Sequence, residues 1–533
     1  VAIKDVAAGP KGLLYALDGY DGDLLTVDSR TGRTATFGRC HRPLHVAYAG
    51  GLVLVDCLLD HEVRIFSTSA GGVPDPDPVA VIRHDGPIWS MDAAIAGHSL
   101  FVALGGVEDH PLFRDGAFGF IDSFVFAYEV DLSTFATERL FAVNVAEHQV
   151  ITPKWVALSA AAGAALSVDT AGYAGKNRAH IDFAGRGTEP VVTTWPLPPG
   201  TTDLVTFSGD QFIAANPLLD AWVVGHGATA VPKVVASQKS GPTRSIDERV
   251  GEALFFAGLM APYNITTGRR SRFTCETCHF DGYIDGRTHY TTRGAVFSVT
   301  KPLRGLFNNR PHFSRALDRS MTQMVHNEFR VANAKSGHVP WFAIDTADYP
   351  WLRTFGAMPK TLYAIDLRRS LMAFLMIFTH DPNPAVRGRT GFDDREGRGA
   401  SVFRERCEGC HQARLITDEP STRVAFDGWE PLIFSPSGSI VWATAEYKKT
   451  GVRPYVHPRG ARVFSLRRVY RKWPYFTNGS AKSLRAVLER ARFSGTPGTD
   501  GARFFHDNAP ADAHLSSLPA ADIDPLIAFL RLL

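Results

Sequence analysis

Residues Thr274–Gly286 read TCETCHFDGYIDG, in which Cys275, Cys278 and His279 form a C-x-x-C-H. Two thiols and an adjoining imidazole in this order suit covalent attachment of a c-type haem: the cysteines add to the vinyl groups and the histidine reaches the iron. The pattern recurs at Cys407, Cys410 and His411. Either copy has an alternative use as a zinc knuckle or a redox C-x-x-C, and the two together can supply a four-cysteine zinc site. The separation from Cys278 to Cys407 far exceeds that of a zinc ribbon, and zinc gives no reason for a histidine at the same place twice.

A chain of 533 residues is too long for one core and predicts two or three domains. Ahead of the first motif, residues 1–240 carry short alternating apolar runs. They are Leu13–Asp18 with Leu24–Asp28, Leu52–Asp56 with Val63–Phe66, Leu100–Leu104 with Phe124–Val130, Ala164–Asp169, and Gln211–Asn216 with Ala221–Val224. Gly/Asp-rich turns separate them, and the units start about 40 to 60 residues apart, the period of propeller blades. The expectation is an all-β propeller of six or seven blades; a β-sandwich shows similar strands. Such a disc either covers a site or holds a partner, or serves as scaffold.

After Ser240–Arg244, a polar and turn-like tract, the pattern becomes helical from Ser245. Gly251-x-x-x-Phe255 precedes the first C-x-x-C-H and Gly399-x-x-x-Phe403 the second, each a place where a helix can cross another closely with an aromatic beside the crossing. Ile523, Leu526, Ile527 and Leu530 mark a closing helix, with Pro525 expected in its first turn. Tyr363–Thr379 reads as a further helix, whose Met372 and Met376 are expected in the core. Asp381–Gly391 reads as a connector. The domains expected are a propeller at 1–240 and two mainly helical cytochrome c domains at 245–380 and 392–533.

The two cysteines outside the motifs, Cys40 and Cys57, form either a disulfide or two separately buried thiols. A net charge of +3 without a basic stripe excludes nucleic acid as the partner and mildly favours an acidic redox protein. No apolar run reaches the length of a membrane span; Val156–Val168 is short and mostly alanine. The opening VAIKDVAAGP has neither an initiator Met nor a signal pattern and reads as a mature or trimmed form.

Residues 245–533 resemble the bacterial diheme cytochrome c peroxidase superfamily, which includes the maturase of methylamine dehydrogenase. The resemblance rests on both haem motifs, on TKPLRGLFNNRPHF (Thr300–Phe313), on MVHNEF (Met324–Phe329), and on FSLRRVYRKWPYFTNGSAKSLRAVL (Phe464–Leu488). It implies two covalent haems, a reactive first one and an electron-relaying second one, and export to the periplasm. It also implies hydrogen peroxide as oxidant, with a distal Glu moving the proton between the two oxygens. Glu328 is the matching position, with His326 and His312 as rivals. The partner implied is a small redox protein or an oxidisable protein or organic substrate. A maturase- or oxygenase-like enzyme and a non-catalytic electron-transfer cytochrome with a docking propeller are the alternatives.

The sequence departs from the family in three places. Phe313-Ser314 stands where relatives often carry a Trp before Gly, so Trp473 and Tyr475 become the candidate electron relay. Phe464 replaces the usual Pro before Ser-Leu-Arg, which leaves the family's calcium open. The third departure is that Met376 is the last methionine, so the second haem domain lacks the usual thioether ligand. His506, flanked by Phe504 and Phe505, is the favoured sixth ligand opposite His411; His514 is the alternative, as is an iron with no second protein ligand. A His/His pair lowers the potential relative to His/Met and favours use of peroxide as an oxidant.

Overall fold

The computed structural model describes every residue except 1, 110–120, 161–165, 185–187, 208–210, 227–231, 238–243, 260–264, 267–268, 271–272, 292–295, 308, 314–316, 333–341, 418–421, 436–437, 445–461, 495–502, 508 and 510–513. The Ser240–Arg244 tract therefore lies outside the described residues apart from Arg244, as do the first two residues of Ala164–Asp169. The chain forms two compact units, one of Val1–Phe280 with Glu328–Phe374, the other of Asp281–Asn327 with Leu375–Leu533. The segment 245–380, expected as one domain, contributes to both.

Twenty strands dominate the first unit and form five four-stranded antiparallel sheets, each running in chain order. They are β1–β4 (Ile3–Ala8, Leu13–Asp18, Asp23–Asp28, Thr34–Arg39), β5–β8 (Pro43–Ala49, Leu52–Cys57, Glu62–Ser67, Ala80–Arg83) and β9–β12 (Ile88–Ala96, Ser99–Asp109, Ile121–Asp131, Thr137–Asn144). Then follow β13–β16 (Pro153–Ser159, Leu166–Gly172, Asn177–Phe183, Val191–Pro196) and β17–β20 (Asp203–Thr206, Gln211–Asn216, Ala221–His226, Lys233–Ala236). The first strands of the sheets lie side by side, β1 with β5, β5 with β9 and β9 with β13.

Alternation along the second strands shows how the sheets stack. In β6, Val53 and Val55 pack with Tyr15, Leu17 and Leu24 of the first sheet, while Leu52 and Leu54 pack with Leu100, Val102 and Leu104 of the third. Ala103 and Val125 of the third sheet face Val168 and Ile181 of the fourth, and Ala171 of the fourth joins Phe212 and Val223 of the fifth. Four-stranded antiparallel sheets stacked face to face through shared cores, the first strands of the first four adjacent, are propeller blades. The described residues form five blades, which corrects the expectation of six or seven. The third blade is long because β10 and β11 have 11 residues each, so the chain between β9 and β13 uses more length than a minimal blade. Cys40 and Cys57 are disulfide-bonded, with Cα atoms 5.8 Å apart.

Helix α1 (Ile246–Phe256) begins at a capping box in which Ser245 Oγ accepts from Glu248 N and Glu248 accepts from Ser245 N. It crosses α4 (Ala364–Ile377), which follows α2 (Cys275–Cys278) and α3 (Met321–Ala332) in the chain. A Cβ on Gly251 would stand 2.0 Å from Ser370 O, and Phe255 packs 5.7 Å from Phe374. The second unit repeats the device: α5 (Asp394–Arg406), capped by Asp393 and Glu396, precedes α6 (Trp429–Ile433), α7 (Leu484–Arg490) and α8 (Ala520–Leu532). A Cβ on Gly399 would stand 2.0 Å from Pro525 O, and Phe403 packs 5.2 Å from Phe529. Because α8 starts at Ala520, Pro525 sits inside the helix rather than in its first turn, and its carbonyl faces Gly399. Among the described residues no helix is long and apolar enough to cross a membrane.

Candidate functional site

Both C-x-x-C-H motifs adopt the same local form, a single turn in which the histidine N–H donates to the carbonyl of the first cysteine at 2.9 Å. The pairs are His279 with Cys275 and His411 with Cys407. None of the four motif cysteines is in a disulfide. In the first motif the turn is fixed at its start by Thr274, whose N–H donates to Thr277 Oγ1 at 2.9 Å. Burial, then the Glu328 carboxylate, pushes the Cys275 thiol up to about 12. Glu328 therefore lies within electrostatic reach of the first motif. Its neighbour His326 is exposed on α3, and His312 is buried and donates its backbone N–H to Asp318 O. Burial, Arg462 and Arg310 hold the His312 imidazole down near 3, so it is a neutral base.

The propeller reaches the first motif directly. Lys154, on β13, pairs with the fully buried Glu276 between the two cysteines, and its ammonium lies over Tyr173 and Phe280 at 4.4 and 4.7 Å. Trp89, on β9, lies parallel to Phe280 at 6.3 Å, and Arg42 stands 5.2 Å from the same ring. Sequence reasoning missed these contacts, because partners separated by 122 positions leave no local signal. It also missed Asp285, inside the opening stretch, which accepts from His289 Nε2 and Thr300 Oγ1 at 2.7 Å each. Those partners outweigh burial and hold its carboxyl down at about 2.

The second motif opens on a cavity of about 630 Å³ lined by Cys407, Cys410, His411 and His506, among others. That is within the roughly 300–1,000 Å³ of cofactor sites. His506 follows the short strand Arg503–Phe505, which pairs with Arg492–Ser494. Phe504 at 5.0 Å and Phe476 at 6.1 Å enclose its ring. The rings of His411 and His506 stand 6.2 Å apart, centroid to centroid. A metal ion held between two imidazoles at about 2.0 Å from each nitrogen would keep their centroids roughly 6.3 Å apart. Burial, and for His411 then His506, lowers these groups to about 3 and about 4, so both are neutral and able to ligate. The donor set thus fits a c-type haem with two histidine ligands. His514 is exposed and does not line the cavity.

Of the candidate relay residues, Tyr475 lines this cavity, and burial pushes its phenol up. Trp473 is turned elsewhere, with Nε1 donating to Lys482 O at 3.0 Å.

No protein-family model matches the chain, and no curated protein matches it. Among solved structures it is similar to the β-propeller domain of Myceliophteria thermophila Cps50 (Swd1), at 17% identity and a TM-score of 0.29 over 42% of this chain and 64% of that one. It is also similar to BamB from Moraxella catarrhalis (14%, 0.27, over 43% and 60%) and to Kuenenia stuttgartiensis hydrazine synthase (13%, 0.31, over 45% and 67%). The propeller assignment rests on the five sheets and their shared cores. This is a β-propeller protein that carries two C-x-x-C-H motifs.

Proposed function

We propose that the chain is a periplasmic diheme c-type oxidoreductase that uses hydrogen peroxide at a first haem, on Cys275, Cys278 and His279, and relays electrons or oxidising equivalents through a second. The observation that carries this reading is the 6.2 Å spacing of His411 and His506 across a cofactor-sized cavity beside Cys407 and Cys410. Bound haem iron supplies the electron-transfer and peroxide chemistry. The chain does the rest. Cys407 and Cys410 would tether the haem covalently, and His411 and His506 would hold its iron, which would leave that iron to electron transfer rather than to substrate. Glu328 is the group that holds and returns a proton beside the first motif, and its effect on Cys275 supports that role. The Cys40–Cys57 disulfide supports an oxidising compartment.

The His/His arrangement also supports a second reading, in which peroxide is the oxidant for a partner protein or an organic molecule, because such a pair favours the ferric state. Acid-acetone extraction and the resting electron paramagnetic resonance spectrum test the proposal. Two haems that stay with the polypeptide, one high-spin ferric and one low-spin, are expected. Two low-spin signals make the protein an electron-transfer cytochrome, and loss of both porphyrins removes the haem reading altogether.

A further inference from the structure

The fifth blade buries one face and turns the other to solvent. Leu204, Phe212, Ala214 and Val223 pack with Ala171 of the fourth blade. Side chains alternate across a strand, so the residues between these point the opposite way. The register sets them in two rows across β17–β20. Asp203, Ala215, Trp222 and Val235 form one row, and Val205, Ile213, Val224 and Lys233 form the other.

A sheet face that meets water is usually polar at such positions. Here Val205, Trp222, Val224 and Val235 are 56, 46, 41 and 40% exposed, with Ile213 half-buried among them. An apolar centre around a tryptophan is the composition of a contact surface rather than of a solvated one.

The charges on this face indicate what covers it. The two ionisable residues of the rows, both exposed, occupy opposite corners: Asp203 begins one row on β17 and Lys233 ends the other on β20. These corners lie roughly 14 Å apart across the strands and roughly 7 Å along them. A half-turn about an axis in the plane of the face, perpendicular to the line joining the corners, exchanges them. It sets Asp203 of each copy against Lys233 of the other and lays apolar centre on apolar centre. The face is thus complementary to itself, which is the requirement of an isologous two-fold contact.

We propose that a second copy of this chain covers the outward face of the fifth blade, through a two-fold axis lying in that face. The two sheets then stack as the blades themselves do, with Trp222 and Val224 at the centre and the Asp203–Lys233 pairs at the rim. A patch four strands wide falls short of the roughly 800 Å² per partner of a standard interface, so the dimer is weak and forms with rising concentration. The association involves neither C-x-x-C-H motif.

Sedimentation equilibrium of the full chain over a dilution series tests this. Wild type is expected to pass from the mass of one chain to that of two. Asp203→Lys or Lys233→Asp alone brings like charges together at both rims and should weaken association about tenfold. The double variant should recover it, and so should an equimolar mixture of the two single variants, in which opposite charges meet again. Trp222→Asp should abolish it. Circular dichroism of each variant should match wild type, since every altered residue is exposed. A wild-type mass of one chain at every concentration would overturn the proposal, and that arm needs no variant to fold. Growth beyond two chains would mean a head-to-tail contact between unlike faces and would overturn it too. So would a dimer indifferent to Trp222→Asp, or one not recovered in the mixture.

Discussion

Lys154 of the fourth propeller blade and Glu276 of the first C-x-x-C-H form an ion pair in which the carboxylate is fully buried and the ammonium nearly so. The blade is thereby part of the wall of the first motif. Removing one member of a buried pair strands the other, at a cost of about 3–5 kcal/mol. Lys154→Met should lower the denaturant midpoint accordingly, and adding Glu276→Gln should recover a substantial part of the loss. Equal midpoints for wild type and Lys154→Met would contradict the role given to this pair.

Glu328→Gln tests the proton-handling group of the proposed activity. Peroxide turnover is expected to fall by about two to four orders of magnitude, the range of general acid–base assistance, with the haem spectra preserved. An unchanged rate would transfer the role to His326 or His312.

Helix α5 contains its own control for the close helix crossing. Gly399→Ala drives a methyl group into Pro525 O and should destabilise by about 1–3 kcal/mol through overpacking. Gly397, two positions earlier, has only Phe392 Cβ at 4.0 Å near the added carbon. Gly397→Ala should therefore be neutral or stabilising by up to about 1 kcal/mol, as helix propensity predicts. Thermal melts that rank these two variants the other way would refute the crossing geometry.

Thiol titration of the denatured, haem-loaded chain checks the cysteine assignment. With Cys40 and Cys57 in a disulfide and four thiols in thioethers, no free thiol should be detected before reduction and two after it. Four before reduction would mean the disulfide without the haems.

Asp56, fully buried on β6 with neither carboxylate oxygen hydrogen-bonded, is pushed up to about 8 by burial, with His45 acting the other way. The folded chain thus holds this proton where the unfolded chain has released it. Stability should fall as pH rises from about 4 to about 8, by as much as about 1.4 kcal/mol per pH unit. His45, raised through its hydrogen bond to Asp5 against the effect of burial, acts in the same direction at the upper end. Asp56→Asn should flatten that slope in denaturant titrations across this range.

The central strands of the blades are legible in the sequence because at least one of their faces is buried: β6 is buried at every position, and the run Gln211–Asn216, buried at every second one, matches its strand end to end. Outer strands such as β4, β16 and β20 are mostly exposed, so their composition carries little pattern and the sequence shows the blades as pairs rather than quartets. Both glycine–phenylalanine crossings are visible because the spacing recurs ahead of each motif. His506 stands out by its aromatic neighbours, whereas the contribution of Phe476 to its enclosure depends on folding between distant segments.

The crossing of α5 with α8 also sets a schedule for biogenesis. Phe403 must wait for Phe529, 126 residues later (529 minus 403), before its side of α5 is covered. At synthesis rates of about 5–20 residues per second that delay is roughly 6 to 25 seconds. During it the turn holding Cys407 and Cys410, which follows α5 directly, emerges ahead of the helix whose Phe529 packs against α5.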